Sequence, residues 1–191
     1  MQIKSLFKLS ILFAFVSFFG TDAKLKAITN DALVEAFQER NFLYVCQQGM
    51  KKFNQKRNDE DFLGMVGVAC AEIDYINPLG ILQKALKRTQ AGRNNASYFS
   101  TLILQKKLVY QFMLDGIELG YLRLPDTNHI LSVIFKNLVL KKYTVLSQKP
   151  KKLEMNNGNQ RILIYNTNDN PVKVVVEIYE DGKKIGEHWY R

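Results

Sequence analysis

Residues 42–73 read FLYVCQQGMKKFNQKRNDEDFLGMVGVACAEI, and this stretch decides the fold of the chain. At each end of it, apolar and small residues recur every three or four positions, which is the spacing of one helical face. The polar segment NQKRNDED (54–61) separates the two ends, and its acidic residues suit the start of a second helix. The stretch therefore predicts two antiparallel helices joined by a polar turn.

Cys46 and Cys70 are the chain's two cysteines, and both lie on the apolar faces of the predicted helices. The middle of the turn is halfway between them, so antiparallel helices would bring the two sulfur atoms to the same height. We expect a disulfide that joins the helices, with a pair of buried free thiols as the alternative. A redox-active pair is disfavoured because the sequence has no C-x-x-C motif.

The second helix carries a further line of small residues, Gly64, Gly67 and Ala71. Small residues on a second face predict that another helix packs closely there. A helix that is contacted on two faces is typical of a stacked helical array.

The N-terminus has the pattern of a secretory signal peptide. Lys4 and Lys8 precede the uncharged run LSILFAFVSFF (9–19), and Ala23 offers a cleavage point, with Ala27 as a second option. The run is shorter than the roughly 20 apolar residues that span a bilayer. We therefore expect a signal peptide over residues 1–23 and a periplasmic or secreted bacterial protein; an uncleaved inner-membrane anchor is the alternative. Export to an oxidising compartment agrees with a disulfide.

Further helices are predicted up to residue 140, which gives a helical domain over residues 24–140. Asn77-Pro78 is a typical helix start, and Gly92 is expected to end that unit. A long helix over residues 96–115 is so rich in apolar residues that we expect it at the centre of the array. A last helix is expected after Asp126 and Thr127.

Residues 141–191 show a period of two instead, which is typical of strands. Val172, Val174, Val176 and Ile178 fall on one face of the predicted strand, with Lys173 and Glu177 on the other, and Asp181-Gly182 is a hairpin signal. We expect a small antiparallel sheet of three or four strands that packs on a helix or on a partner. The fold class is therefore α+β.

Two similar helices are predicted to begin 36 positions apart, at DFLG (61–64) and at SYFS (97–100). With Leu63, Gly67, Leu82, Ala85 and Leu86, they give residues 42–120 a resemblance to tetratricopeptide-like and Sel1-like helical repeats. Disulfide-linked helical hairpins are also similar to the cysteine-rich Sel1-like proteins. The resemblance implies a protein-interaction scaffold and supplies no site residues.

Catalytic and metal signatures are missing from the sequence. The chain has two histidines, His129 and His188, and no nucleophile or acid near either one is marked by its position. We interpret His129 as a surface or capping residue and His188 as an exposed strand residue. Phosphate-binding, dinucleotide-binding and zinc spacings do not occur, so we expect no enzyme, no cofactor and no metal. The alternative to this view is a small periplasmic hydrolase that uses one of the histidines.

A net charge of +9 favours anionic surfaces as partners. A run of lysines without intervening acidic residues forms a candidate polyanion-binding site, and a solvated lysine-rich connector is the simpler interpretation. We expect a non-catalytic envelope protein that binds a protein or peptide partner and no nucleic acid; binding of an anionic membrane surface or polysaccharide is the alternative. The run consists of Lys136, Lys141, Lys142, Lys149, Lys151 and Lys152.

Overall fold

A computed structural model describes residues 30–191, and these form a helical layer followed by an antiparallel sheet. The predicted signal peptide, residues 1–23, lies outside the described residues. The chain is of the α+β class, as predicted. The helices are α1 (Asn30–Gln38), α2 (Phe42–Lys51), α3 (Glu60–Glu72), α4 (Leu79–Ala85), α5 (Gln90–Asp115) and α6 (Ile130–Val139), and the strands are β1 (Thr144–Gln148), β2 (Lys151–Asn157), β3 (Gln160–Asn166), β4 (Val174–Glu180) and β5 (Lys183–Tyr190).

The predicted hairpin of residues 42–73 is present as α2 and α3. Asp59 caps α3, since its carboxylate accepts a hydrogen bond from the Phe62 N–H at 3.1 Å. Cys46 and Cys70 are joined by a disulfide, with their Cα atoms 4.9 Å apart. Both cysteines are fully buried, so the bridge belongs to the core.

The small residues on the second face of α3 allow α5 to approach closely, as predicted. A Cβ atom placed on Gly67 would lie 2.3 Å from the ring of Phe99, and one placed on Gly64 would lie 2.5 Å from the side-chain amide of Asn95. Phe99 is fully buried against this gap. Helix α5 also contacts α4 and α6, so it occupies the central position expected of it.

The predicted start of this central helix was wrong. Helix α5 begins at Gln90 rather than at residue 96, and Gly92 lies inside it instead of ending the preceding unit. The reason is Glu60, whose buried carboxylate accepts hydrogen bonds from the backbone N–H groups of Lys87 and Arg88, both at 2.6 Å, and of Thr89 at 2.7 Å. This carboxylate holds the α4–α5 connection and places Thr89 to cap α5.

The sheet of residues 144–190 has five strands in sequential order rather than the three or four predicted. Asp181 and Gly182 both have positive φ, at 48° and 75°, as the expected hairpin turn between β4 and β5 requires. One face of the sheet packs on the helices, and its buried apolar residues share a single core with them.

The register of the sheet decides which residues of β5 face the helical layer. Leu153, Ile164 and Val176 stand opposite one another on successive strands, and each is fully buried. His188 pairs with Val176, so it continues this inward-facing row. Tyr190, two residues further on, faces the same way.

Candidate functional site

Asp74 lies in the connection just after α3 and carries the buried carboxylate at the centre of the site. Its φ of 58° is left-handed, a conformation that aspartate tolerates better than most residues. The backbone N–H of Asp74 donates to the carbonyl of Ala71 at 2.9 Å, and this bond ends the helix. The turn directs the Asp74 side chain towards the sheet, where only 9% of it is exposed.

Strand β5 supplies two partners for this carboxylate. His188 Nδ1 lies 3.0 Å from Asp74 Oδ2, and the hydroxyl of Tyr190 donates to Asp74 Oδ1 at 3.1 Å. Tyr190 is 2% exposed. The inward-facing register of β5 therefore ties the end of the sheet to the end of α3.

His129 supplies a third partner from the segment before α6. Its Nδ1 accepts the Leu131 N–H at 3.2 Å, and its Nε2 lies 3.2 Å from Asp74 Oδ1. Because Nδ1 is an acceptor, the proton sits on Nε2, which donates to Asp74. His129 is thus a helix cap, as one of the two sequence interpretations held, and it is also a partner of a buried acid.

The partners of Asp74 decide its protonation. Burial alone would raise the pKa of Asp74, but the hydrogen bonds from His129 and His188 outweigh burial and lower it. Burial and the neighbouring Asp74 charge raise the pKa of Tyr190 well above its ordinary value. The site therefore holds an ionised Asp74 and a neutral Tyr190 at neutral pH.

The chemistry open to this cluster is limited by its own hydrogen bonds. Both ring nitrogens of His129 are engaged, so this histidine is not free to take a proton from a substrate. Both cysteines are in the disulfide, which removes the thiol nucleophile. Within residues 30–191 no group of three or more histidine, cysteine, aspartate or glutamate residues is arranged to hold a metal ion.

An open groove runs beside the cluster, between α4 and α5. Its volume is about 680 Å³, and Gly80 opens its α4 side, where a Cβ atom would meet nothing within 4 Å. The α5 side is largely apolar and includes Leu104, which is 42% exposed. We call this space the α4–α5 groove.

A second cavity of about 440 Å³ adjoins the α4–α5 groove and reaches the Asp74 cluster. Lys106 and Arg191 line both spaces, whereas Lys107 lines the α4–α5 groove but not the smaller cavity. Asp115 is the acidic residue on the wall of the α4–α5 groove. The groove therefore combines an apolar wall with an excess of positive charge.

The first half of the predicted lysine run lies around the end of α6. The ammonium groups of Lys136 and Lys141 lie 3.0 Å from Asp126 and 3.6 Å from Glu118, in exposed ion pairs. Lys142 is exposed and follows directly. Two of these three lysines therefore already have a carboxylate neighbour.

The second half of the run divides between the two faces of the sheet. Lys151 faces the helices, where its ammonium donates to the Phe112 carbonyl at 2.8 Å and burial lowers its pKa. Lys152 faces outward and lies over the ring of Tyr165, 5.3 Å from its centroid. Lys149 is exposed at the end of β1. The six lysines thus do not form one continuous cluster.

Sequence reasoning missed Asp74 and Lys106, the two charged groups that define the site. Asp74 lies 114 residues from His188, and no local pattern links them. The spacing of His188 and Tyr190 was the one available signal, because residues two apart on a strand face the same side.

Comparison with known proteins adds no relative: no family model, no curated protein and no solved structure matches the chain. None of the helices in residues 30–191 is long and apolar enough to cross a membrane.

Proposed function

We propose that this chain is a non-catalytic, exported scaffold that binds an extended segment of a partner polypeptide in the α4–α5 groove. The observation that carries the proposal is the groove itself, about 680 Å³ of open space with an apolar wall and a basic edge. An extended peptide with apolar side chains and a negative charge is complementary to both features.

Export is part of the proposal and is supported by two observations. The N-terminal sequence has the charge and apolar run of a signal peptide over residues 1–23. The Cys46–Cys70 disulfide is of the kind that persists in oxidising compartments. A tetratricopeptide-like or Sel1-like array also remains a proposal, supported by the α2–α3 hairpin and by the central position of α5.

A binding role without catalysis is supported by how the histidines are used. Asp74 accepts hydrogen bonds from His129 and Tyr190 and pairs with His188, which makes the cluster a connection between segments distant in sequence. A general base must instead present a free nitrogen to the proton that it removes. His188 Nε2 is the remaining ring nitrogen, and loss of a hydrolytic activity in His188→Gln would overturn the non-catalytic proposal.

Binding in the α4–α5 groove is tested with the chain of residues 24–191 and a pool of random decapeptides, biotinylated at the N-terminus. We expect a reproducible subset of peptides to be enriched and to bind saturably in fluorescence anisotropy. Gly80→Trp should fill the groove and abolish enrichment, whereas Gly80→Ala, which adds only a methyl group in open space, should retain it. Equal binding by both variants, or no saturable binding by the parent protein, would overturn the proposal.

Polyanion or membrane-surface binding is the second candidate, favoured by the exposure of Lys141, Lys142 and Lys149 and by the net charge of +9. Vesicles containing anionic lipid should then sediment with the protein at low salt and release it at high salt. A triple Lys→Gln variant at these positions should lose the interaction. Vesicle binding that does not change with ionic strength would contradict the proposed electrostatic binding to polyanions or membrane surfaces.

A further inference from the structure

Lys106 lies on the wall that the α4–α5 groove shares with the smaller cavity. Its side chain is partly buried, and its ammonium donates to the side-chain carbonyl of Asn77 at 2.6 Å. That acceptor is a neutral amide, and an ammonium group has three donors. Lys106 therefore places a charge with unused donors on the wall that the α4–α5 groove shares with the smaller cavity.

Asp74 attracts Lys106 through space, while its two oxygens make their hydrogen bonds to other residues. Oδ1 accepts from Tyr190 and from His129, and Oδ2 faces His188. Burial lowers the pKa of Lys106, the neighbouring charge of Lys107 lowers it further, and the attraction of Asp74 only partly opposes them. An anion bound at Lys106 would relieve this unfavourable burial of a charge.

Arg191 adds a second cation to the same wall. Its guanidinium carbon lies 5.5 Å from the ring centroid of Trp189, an aromatic neighbour that limits where the group can go. A guanidinium binds a carboxylate through two parallel hydrogen bonds. Lys106 and Arg191 together therefore match a carboxylate better than a neutral group.

We infer that the α4–α5 groove ends in a receptor for the C-terminal carboxylate of the bound peptide, formed by Lys106 and Arg191. This inference rests on the proposed function and specifies its ligand. The apolar wall formed by Ile103, Leu104 and Leu108 then receives the last side chains of the peptide. Capture of a terminal carboxylate is an established mode of peptide recognition.

The smaller cavity explains why the peptide ends at Lys106 rather than continuing. A chain that passed Lys106 would enter a space whose lining adds Asp74, Glu187 and the bulky Trp189 to Lys106 and Arg191. A carboxylate carried on an internal side chain would force the main chain into that space. A terminal carboxylate meets the two cations without this cost.

The test uses the chain of residues 24–191 and the peptides enriched from the decapeptide pool, each made with a free and with an amidated C-terminus. Fluorescence anisotropy should show that amidation weakens binding at least tenfold. In Lys106→Met, which keeps a side chain of similar length, the free acid should bind as weakly as the amide. Lys106→Arg should keep a preference for the free acid, and Lys142→Met, at an exposed lysine outside this wall, should behave like the parent protein.

Each alternative outcome has a distinct meaning. Equal affinity for acid and amide forms would overturn the terminal-carboxylate inference and leave peptide binding in the groove intact. Absence of saturable binding by any peptide would remove the proposed function and the inference together. Displacement of a fluorescent fatty acid by dodecanoate, without peptide binding, would show that the carboxylate comes from a lipid and would also overturn the inference.

Discussion

Asp74 Oδ2 lies 3.0 Å from His188 Nδ1, although 114 residues separate the two in sequence. The contact joins the end of α3 to the last strand of the sheet. With His129 and Tyr190 it makes one buried carboxylate the meeting point of three segments. A buried charge with several donors stabilises a structure only while every donor stays paired.

Asp74→Ala should therefore destabilise the protein by about 3 kcal/mol, because it leaves the buried donors of His129, His188 and Tyr190 without an acceptor. Asp74→Asn keeps one acceptor oxygen and tolerates the left-handed backbone, so its loss should be smaller. The free energy of unfolding is measured by urea titration.

The matched control for Asp74 is Asp126→Ala, which breaks an ion pair with Lys136 whose side chains are 69% and 59% exposed. Exposed pairs contribute about 0–1 kcal/mol, so this variant should unfold close to the parent protein. If both alanine substitutions lowered the free energy of unfolding by the same amount, the buried Asp74 cluster would contribute no more to stability than an exposed ion pair.

Glu60 should make stability depend on pH in the acid range. Hydrogen bonds from three backbone N–H groups lower the pKa of Glu60 from 4.5 to about 2; the bond from Arg88 has the largest effect, followed by those from Thr89 and Lys87. A carboxylate whose pKa is lower in the folded state stabilises above its unfolded pKa, and this contribution is lost as the pH falls from 4.5 to 2. Thermal unfolding followed across this range should show the difference between Glu60→Gln and the parent protein shrinking towards pH 2. A constant difference would contradict the assignment.

Removal of the Cys46–Cys70 bridge should lower the free energy of unfolding by about 3 kcal/mol, as expected for a disulfide between residues 24 positions apart. The Cys46→Ala, Cys70→Ala double variant is compared with the parent protein in urea without reductant. Mass spectrometry of the protein purified without reductant should find it lighter by two hydrogen atoms than the reduced form. Labelling of both free thiols in that material would contradict the bridge.

Gly67→Ala should destabilise by about 1–3 kcal/mol, because the new methyl group would lie 2.3 Å from the buried ring of Phe99. Gly80→Ala is the matched control, since it adds the same methyl group to a helix in open space. Its higher helix propensity should leave stability unchanged or raise it by up to about 1 kcal/mol. Similar losses in both variants would argue against close α3–α5 packing.

Local patterns in the sequence were sufficient to predict the helical hairpin and the turn between β4 and β5. Helical periodicity placed Cys46 and Cys70 on facing surfaces, and Asp181-Gly182 marked a turn whose backbone needs positive φ. The prediction for the start of α5 was wrong because a carboxylate distant in sequence, that of Glu60, helps to determine where the helix begins. The cap itself, Thr89, is a local signal, but Gly92 beside it was interpreted as a helix end, and the Glu60 contacts that hold Thr89 in place come from another helix.

By itself the sequence determined the α+β class, the disulfide pair and the alternation that turns His188 and Tyr190 to one face of a strand. Only the tertiary structure decided that this face meets Asp74 and that Lys106 lines both the α4–α5 groove and the smaller cavity. The physical reason is the range of the forces involved. Periodicity and turn preference act between neighbours in the chain, whereas a buried charge is positioned by donors that come together only when the helices and the sheet have packed.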